Sequence, residues 1–563
     1  MPAIVTAMIK HQSGASQIAY PSFKTIDRVL EFVHPWIRTV STRLYQIARI
    51  QWLSIALIGL LGFVGSAAVG LMVGIPVPDV SDEFGYWLAA DTFAHGRLTN
   101  PTHPMWIHFE SIGIIQQPTY MAKYPPAQGL VLAAGQVIGG HPIWGVWVSV
   151  GLMCAAICWM LYIWVPPKWA VLGGFLAVIH PALGITGYWA QSYWGGAVPA
   201  IGGALVAGAL RRIIHRPRIH SALLLSLGLA VLANSRPYEG LVVSLPAGVV
   251  LLIWLYSRHG PPLGISIKRI VLPIFIVVAI TGAAMAYYNL RVTGKMFHLP
   301  YQVHEETYAT APLFLWQPPR PEPVYHDPVI RENHRAQLDT YFQQRSIVGF
   351  LSWKKAVVGG LWDFYLGKTF TIPLIAMLPI MVAWTLRNRW ALFALLTCSG
   401  LMAGFLVSTS VLRHYAAPVT GFIFMFVLQA MRFWRWRDKV VGQFVVCLVV
   451  FLSVCWLGRS LYGATKQDGS SGWPKDRARI LRQLEQEPGR HLVLVSYGPK
   501  HSFAREWVYN EADIDDAKVI LARDMGETQN RELLEYFKGR NIWLLDVDWD
   551  FPHSVNLYGL KSR

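Results

Sequence analysis

The chain has 563 residues, a formal net charge of +17, 53% hydrophobic residues and only 14% charged ones. Soluble domains carry about 25% charged residues, and the mean hydropathy here is +0.36, so a soluble multidomain protein is excluded. Nucleic-acid binding is excluded as the origin of the charge, because the basic residues fall in short clusters between apolar runs, the positive-inside pattern of a polytopic membrane protein.

Residues 1–50 carry Lys10, Lys24, Arg28, Arg38, Arg43 and Arg49 and read as a cytoplasmic basic segment. The run from Trp52 to Val77 is too long for the apolar core of a cleavable signal and reads as a signal anchor. A span needs roughly 20 apolar residues. The sequence places spans near 52–76, 142–164, 168–186, 195–213, 219–235, 238–257, 269–290, 369–386, 390–409, 415–431 and 439–460. Eleven crossings put the loops ending at Lys168, at Arg211–Arg218, at Ser257–Arg269, at Arg387–Arg389 and at Arg432–Lys439 in the cytoplasm, and every one is basic. The expected fold class is a polytopic α-helical membrane domain over 51–462, with outer loops 78–141 and 291–367. The expected setting is the plasma (inner) membrane of a bacterium, multi-pass, with membrane lipid as a partner. The five cysteines (Cys154, Cys158, Cys398, Cys447 and Cys455) lie in apolar runs and read as packing residues.

The first outer loop opens with "VSDEFGYWLAADTFAHGRL" from Val80. Helical spacing puts Asp82 and Tyr86 on one face, with Ser81 as the expected N-cap. Acids at the rim of a span are hydrated, paired or functional. The plain alternative is that Asp82 and Glu83 only favour the helix dipole. Further on, "PTYMAKYPPAQG" sets Lys123 among aromatics and a proline pair. A lysine there suits an anionic headgroup or phosphate; the alternative is a snorkelling interfacial lysine. The stretch Tyr124–Gly140 reads as a juxtamembrane helix rather than a further span.

These two stretches, "DEFGYWLAADTFAHGRL" and "PTYMAKYPPAQGLVLAAGQVIGG", resemble the first outer loop of the GT-C superfamily of membrane glycosyltransferases. They are most similar to the protein O-mannosyltransferase and lipid A aminoarabinose transferase group. Weaker similarity runs over about 52–460 and includes "LRHYAAPVTG" (Leu412–Gly421). The resemblance implies transfer of a sugar from a polyprenyl-phosphate donor to a protein, lipid or glycan acceptor on the outer face, with inversion. It makes Asp82 the general base, assigns Glu83 an orienting or assisting role, and gives Lys123 and Tyr86 the donor phosphate. No cofactor or metal is implied, and a divalent ion at Asp82 stays open. Two departures concern the acceptor and the branch. The second outer loop, "GYWAQSYWGGAVP", offers Gln191 and Ser192 where many members have an acid. Lys-Tyr-Pro-Pro also stands where the aminoarabinose branch has Lys-Pro-Pro.

Two further candidates are Arg236 and His414. Arg236 in "NSRPYEGLV" reaches a donor phosphate on one reading and pairs with Glu239 across a turn on the other. His414 in "RHY" contacts donor or moves a proton on one reading and anchors the interface on the other. The loop 291–367 holds His298, His304, Glu305, Glu306, His326 and His334 without a zinc-protease spacing, and reads as an acceptor-shaping loop. Residues 463–563 alternate helix and strand and read as a small α/β extracytoplasmic domain without a dinucleotide fingerprint. A transporter or flippase of a lipid-linked or anionic substrate predicts charges buried in mid-span, whereas here they sit at span ends. A non-catalytic sensor or assembly protein predicts that the tail alone carries function.

Overall fold

The computed structural model describes residues 46, 48–466, 472–548 and 555–557. Residues 1–50 form a unit of their own, almost wholly outside the described residues, and 51–563 form one compact unit. Among the described residues, eight helices of the second unit are long and apolar enough to cross a membrane: Gln51–Val73, Ile143–Trp164, Ala197–His215, Pro237–Tyr256, Leu263–Thr293, Arg389–Val407, Arg413–Arg437 and Lys439–Ala464. Two shorter apolar helices, Pro167–Val178 and Ile219–Ser235, and the bent pair Gly367–Ala376 and Leu378–Arg387 occupy the three other expected positions.

Two expected spans differ in detail. The helix expected over 168–186 stops at Val178, where Pro181 bars the α-conformation from the residue before it, and turns follow to Gly196. The span expected over 369–386 breaks at Met377 with a 72° bend. Pro379 has no N–H and its ring opposes the carbonyl four residues back, so the chain restarts a helix instead of continuing one.

The helices Ile143–Trp164, Ala197–His215 and Arg413–Arg437 are mostly buried and form the inner layer. The outer Leu263–Thr293 leaves Phe275 and Ile280 exposed, which is where a membrane protein meets lipid. Small residues bring the inner helices close. A Cβ on Gly151 would stand 2.7 Å from the Gly59 carbonyl oxygen, so only glycine lets Gln51–Val73 lie against Ile143–Trp164 here.

At one end of the bundle the first loop forms the helix Ser81–Ala94, the strands β1 (Asn100–Pro101), β2 (Ile114–Ile115) and β3 (Thr119–Ala122) in the order β1-β3-β2, and the helix Pro126–Gly139. At 14 residues that last helix is too short to span. The long loop adds the helices Pro300–Tyr308, Pro328–Gln343 and Ile347–Tyr365. The tail follows the expected alternation: a helix Trp473–Gln486, β4 (His491–Tyr497), β5 (Val519–Arg523), a helix Glu527–Tyr536, β6 (Asn541–Val547) and β7 (Val555–Leu557). Strands β5, β4 and β6 are parallel, and β7 adds an antiparallel edge.

The tail shares its core with the first loop. Phe84, Tyr120 and Met121 pack in one cluster with Trp473, Trp507 and Tyr509. Phe84 stacks on Tyr509 with centroids 4.3 Å apart and planes 2° apart. Strand β4 is buried through its first five residues, which matches a central parallel strand.

Candidate active site

The helix Ser81–Ala94 starts one residue earlier than expected. Val80 takes the N-cap position in extended conformation and makes no side-chain cap, while its carbonyl accepts from Glu83 and Phe84. Ser81 is therefore the first helical residue, not the cap. Glu83 reaches back instead, its Oε2 accepting the Asp79 N–H at 2.7 Å. Its Oε1 accepts the Tyr193 N–H of the second loop at 2.7 Å. Glu83 is 2% exposed. Burial pushes its carboxyl up to about 7, against the two backbone N–H bonds that favour the ionised form.

By fixing Tyr193, Glu83 places the neighbouring Trp194. Trp194 Nε1 donates to Asp82 Oδ2 at 3.0 Å, and the Tyr124 hydroxyl donates to Asp82 Oδ1 at 2.5 Å. Both carboxylate oxygens are thus aimed by aromatic donors from two different loops. The Tyr124 ring lies against bare backbone: a Cβ on Gly85 would meet its Cε2 at 2.6 Å, and one on Gly113 its hydroxyl at 2.7 Å. Gly113 also has φ +82°, which favours glycine in its own right.

Asp82, Tyr86, Lys123 and Arg236 all line one cavity of about 510 Å³. Its other walls come from the junction 233–239, from Met285, Tyr288 and Asn289, and from the long loop and the stretch 408–415. Apolar side chains such as Leu299, Leu313, Phe314 and Trp353 make up much of it, with a few charged groups converging, the usual make-up of a ligand site. Lys123 Nζ lies 3.7 Å from Glu305 Oε1 and 5.0 Å from the Tyr301 ring centroid. Burial raises the Glu305 carboxyl, but His304 and the Lys123 ammonium outweigh it and hold it at about 2. His304 is itself lowered to about 4, by burial first and then by Lys123. Arg236 lies with its guanidinium carbon 4.3 Å from the Tyr415 ring centroid, and Glu239 lines the same cavity.

Two expected site residues do not reach this cavity. Glu83 is held by backbone on both oxygens. His414 is 2% exposed, packs on Trp194 at 4.7 Å and on Tyr415 at 4.9 Å, and has no partner for Nε2. It backs the indole that holds Asp82. Nothing in the second loop by itself sets Trp194 apart from its aromatic neighbours. Its signal was the aromatic density of "GYWAQSYWGG". Glu305 stood in a run of histidines and acids with nothing local to connect it to Lys123.

No family model and no curated protein matches this sequence. Solved structures do match in fold. ArnT from Cupriavidus metallidurans in the apo state superposes with a TM-score of 0.52 at 12% identity, covering 86% of this chain and 92% of that one. The same protein bound to undecaprenyl phosphate gives 0.50 at 14% identity, covering 88% and 92%. An oligosaccharyltransferase from Archaeoglobus fulgidus in the apo form gives 0.46 at 9% identity, covering 78% and 62%. Over nearly the whole length of both chains, then, this protein shares the fold of ArnT.

Proposed function

We propose that the protein transfers a sugar from a polyprenyl-phosphate donor to an acceptor on the extracytoplasmic face of a bacterial plasma membrane. The observation that carries this reading is the gathering of Asp82, Lys123 and Arg236, together with Glu239 and Glu305, around one largely apolar cavity. Its fold is that of a protein seen bound to undecaprenyl phosphate, which supports a lipid-linked donor.

The chemistry needs an activated nucleophile and a home for departing charge. In the proposed step the acceptor oxygen attacks the anomeric carbon and its proton passes to the Asp82 carboxylate. The bond from that carbon to the phosphate oxygen breaks, and its electron pair leaves with the lipid phosphate. Lys123 and Arg236 face the resulting anion, and Tyr86 borders the same space. Direct displacement inverts the anomeric carbon. Tyr124 and Trp194 act by holding Asp82, and Glu83 by holding the loop that carries Trp194.

The test is a transfer assay with purified protein and a panel of labelled polyprenyl-phosphate sugars. Asp82→Asn is predicted to lower turnover by 10²–10⁴-fold, the range for a removed general base, with an unchanged unfolding midpoint. Undiminished turnover in the folded variant would sink the base assignment. Absence of turnover across the panel in wild type would move the reading to transport.

A further inference from the structure

The basic loop Arg211–Arg218 borders a second cavity, remote from the first. The helix Ile219–Ser235 has Arg236 at one end, on the wall of the Asp82 cavity, and Arg218 at the other. Its 17 residues separate the two by about 25 Å. The cavity at the Arg218 end has a volume of about 390 Å³, and five of its eight lining residues are basic: Arg212, His215, Arg216, Arg218 and His220. The other three are Gln51, Trp159 and Ser221, so among the described residues no carboxylate lines it.

Arg212 is anchored in place. Its Nη2 donates to the Trp159 carbonyl at 2.7 Å and its Nη1 to the Gly208 carbonyl at 3.1 Å. Its guanidinium carbon lies 3.8 Å from the Trp159 ring centroid. These contacts fix the position of a charge that carries no counter-ion. His215, Arg216, Arg218 and His220 are exposed around it. The positive-inside tendency accounts for the sign of the charge, but not for its gathering around a concave space with a pinned arginine. Trp52, Ile219 and Leu223, one or two sequence positions from lining residues, are 72%, 50% and 42% exposed.

We propose that this cavity binds a phosphate-bearing anion, and that the anion is the headgroup of an anionic phospholipid in the leaflet opposite the transfer site. Soluble phosphate offers the same charge and acceptor oxygens. Exposed Trp52, Ile219 and Leu223, in the first two turns of apolar helices, favour the lipid, whose chains they would meet. Basic pockets between membrane helices at this level are suited to such headgroups.

The experiment is native mass spectrometry of the full chain in detergent with added phosphatidylglycerol or phosphatidylcholine, with and without inorganic phosphate. The variants are R216Q/R218Q and, as an equal change of charge on another basic loop, R437Q/K439Q. All four side chains are exposed, and none lines the transfer site. We expect retention of phosphatidylglycerol over phosphatidylcholine. Each neutralised pocket arginine should weaken retention about fivefold, and the control pair should leave it unchanged. Equal retention of the two lipids, no loss in R216Q/R218Q, or the same loss in the control pair would overturn the proposal. Displacement of phosphatidylglycerol by submillimolar inorganic phosphate would overturn the lipid assignment in favour of a soluble phosphate ligand. None of these outcomes bears on the transfer reaction, which uses the other cavity.

Discussion

At the scale of single residues, Asp82 is held on one oxygen by Tyr124 and on the other by Trp194. Hydrogen bonds to a charged group are worth about 1.5–3 kcal/mol each. We predict that Tyr124→Phe or Trp194→Phe lowers kcat about tenfold, with the KM for donor unchanged, because the base loses its aim while the cations stay in place. A fall in donor affinity with kcat intact would refute a positioning role. Glu83 makes a different prediction. Its folded value of about 7 lies above the ordinary 4.5. Below pH 4.5 both folded and unfolded states hold the proton. Between 4.5 and about 7 the folded state alone holds it, so stability falls as pH rises. Above about 7 the whole penalty is present, on the order of 3 kcal/mol. Glu83→Gln should remove this slope in unfolding midpoints measured from pH 4.5 to 8; the same slope in the variant would refute the assignment. In the sequence, Asp82 and Tyr86 were legible because helical spacing is local, whereas Trp194 lies 112 positions from its partner.

At the scale of elements, buried acids join the long loop to the first loop and the tail. Glu110, 1% exposed, accepts from the Tyr308 hydroxyl at 2.7 Å and faces His326 Nδ1 at 3.0 Å. Arg523 on β5 donates to Glu506 Oε2 at 2.8 Å and to the Glu110 carbonyl at 3.0 Å, and pairs with Asp327. All three charged side chains are under 5% exposed. Removing one partner of a buried pair leaves an uncompensated charge. Arg523→Ala is therefore predicted to destabilise the protein by about 3–5 kcal/mol and to speed proteolysis within 309–327. An unchanged digest and unfolding midpoint would contradict this. The helices of the long loop were not specified from the sequence. Its prolines and histidines show no apolar period, and its order comes from acids contributed by distant segments.

For the whole molecule, the tail and the first loop share one core, so the sheet β5-β4-β6 stands at the same end of the bundle as the Asp82 cavity. The proposed topology has that end outside the cytoplasm. Lys538→Cys, made with the five native cysteines replaced, should react with a membrane-impermeant maleimide added to spheroplasts, because the Lys538 side chain is 75% exposed. Labelling only after lysis would invert the proposed topology.

The sequence by itself determined the membrane class, the positions of the apolar helices and the strand–helix alternation of the tail. Each of these rests on composition or on a period of one helical turn or two strand residues. It also brought out Asp82 and Lys123, because charged residues are conspicuous beside apolar spans. Only the tertiary structure decided that Glu83 faces backbone, that His414 supports Trp194, that Glu305 sits against Lys123, and that the tail packs on the Asp82 helix. Those relations join residues tens to hundreds of positions apart. What selects them is burial: a carboxylate or an aromatic ring taken out of water must find its partner wherever the fold places one.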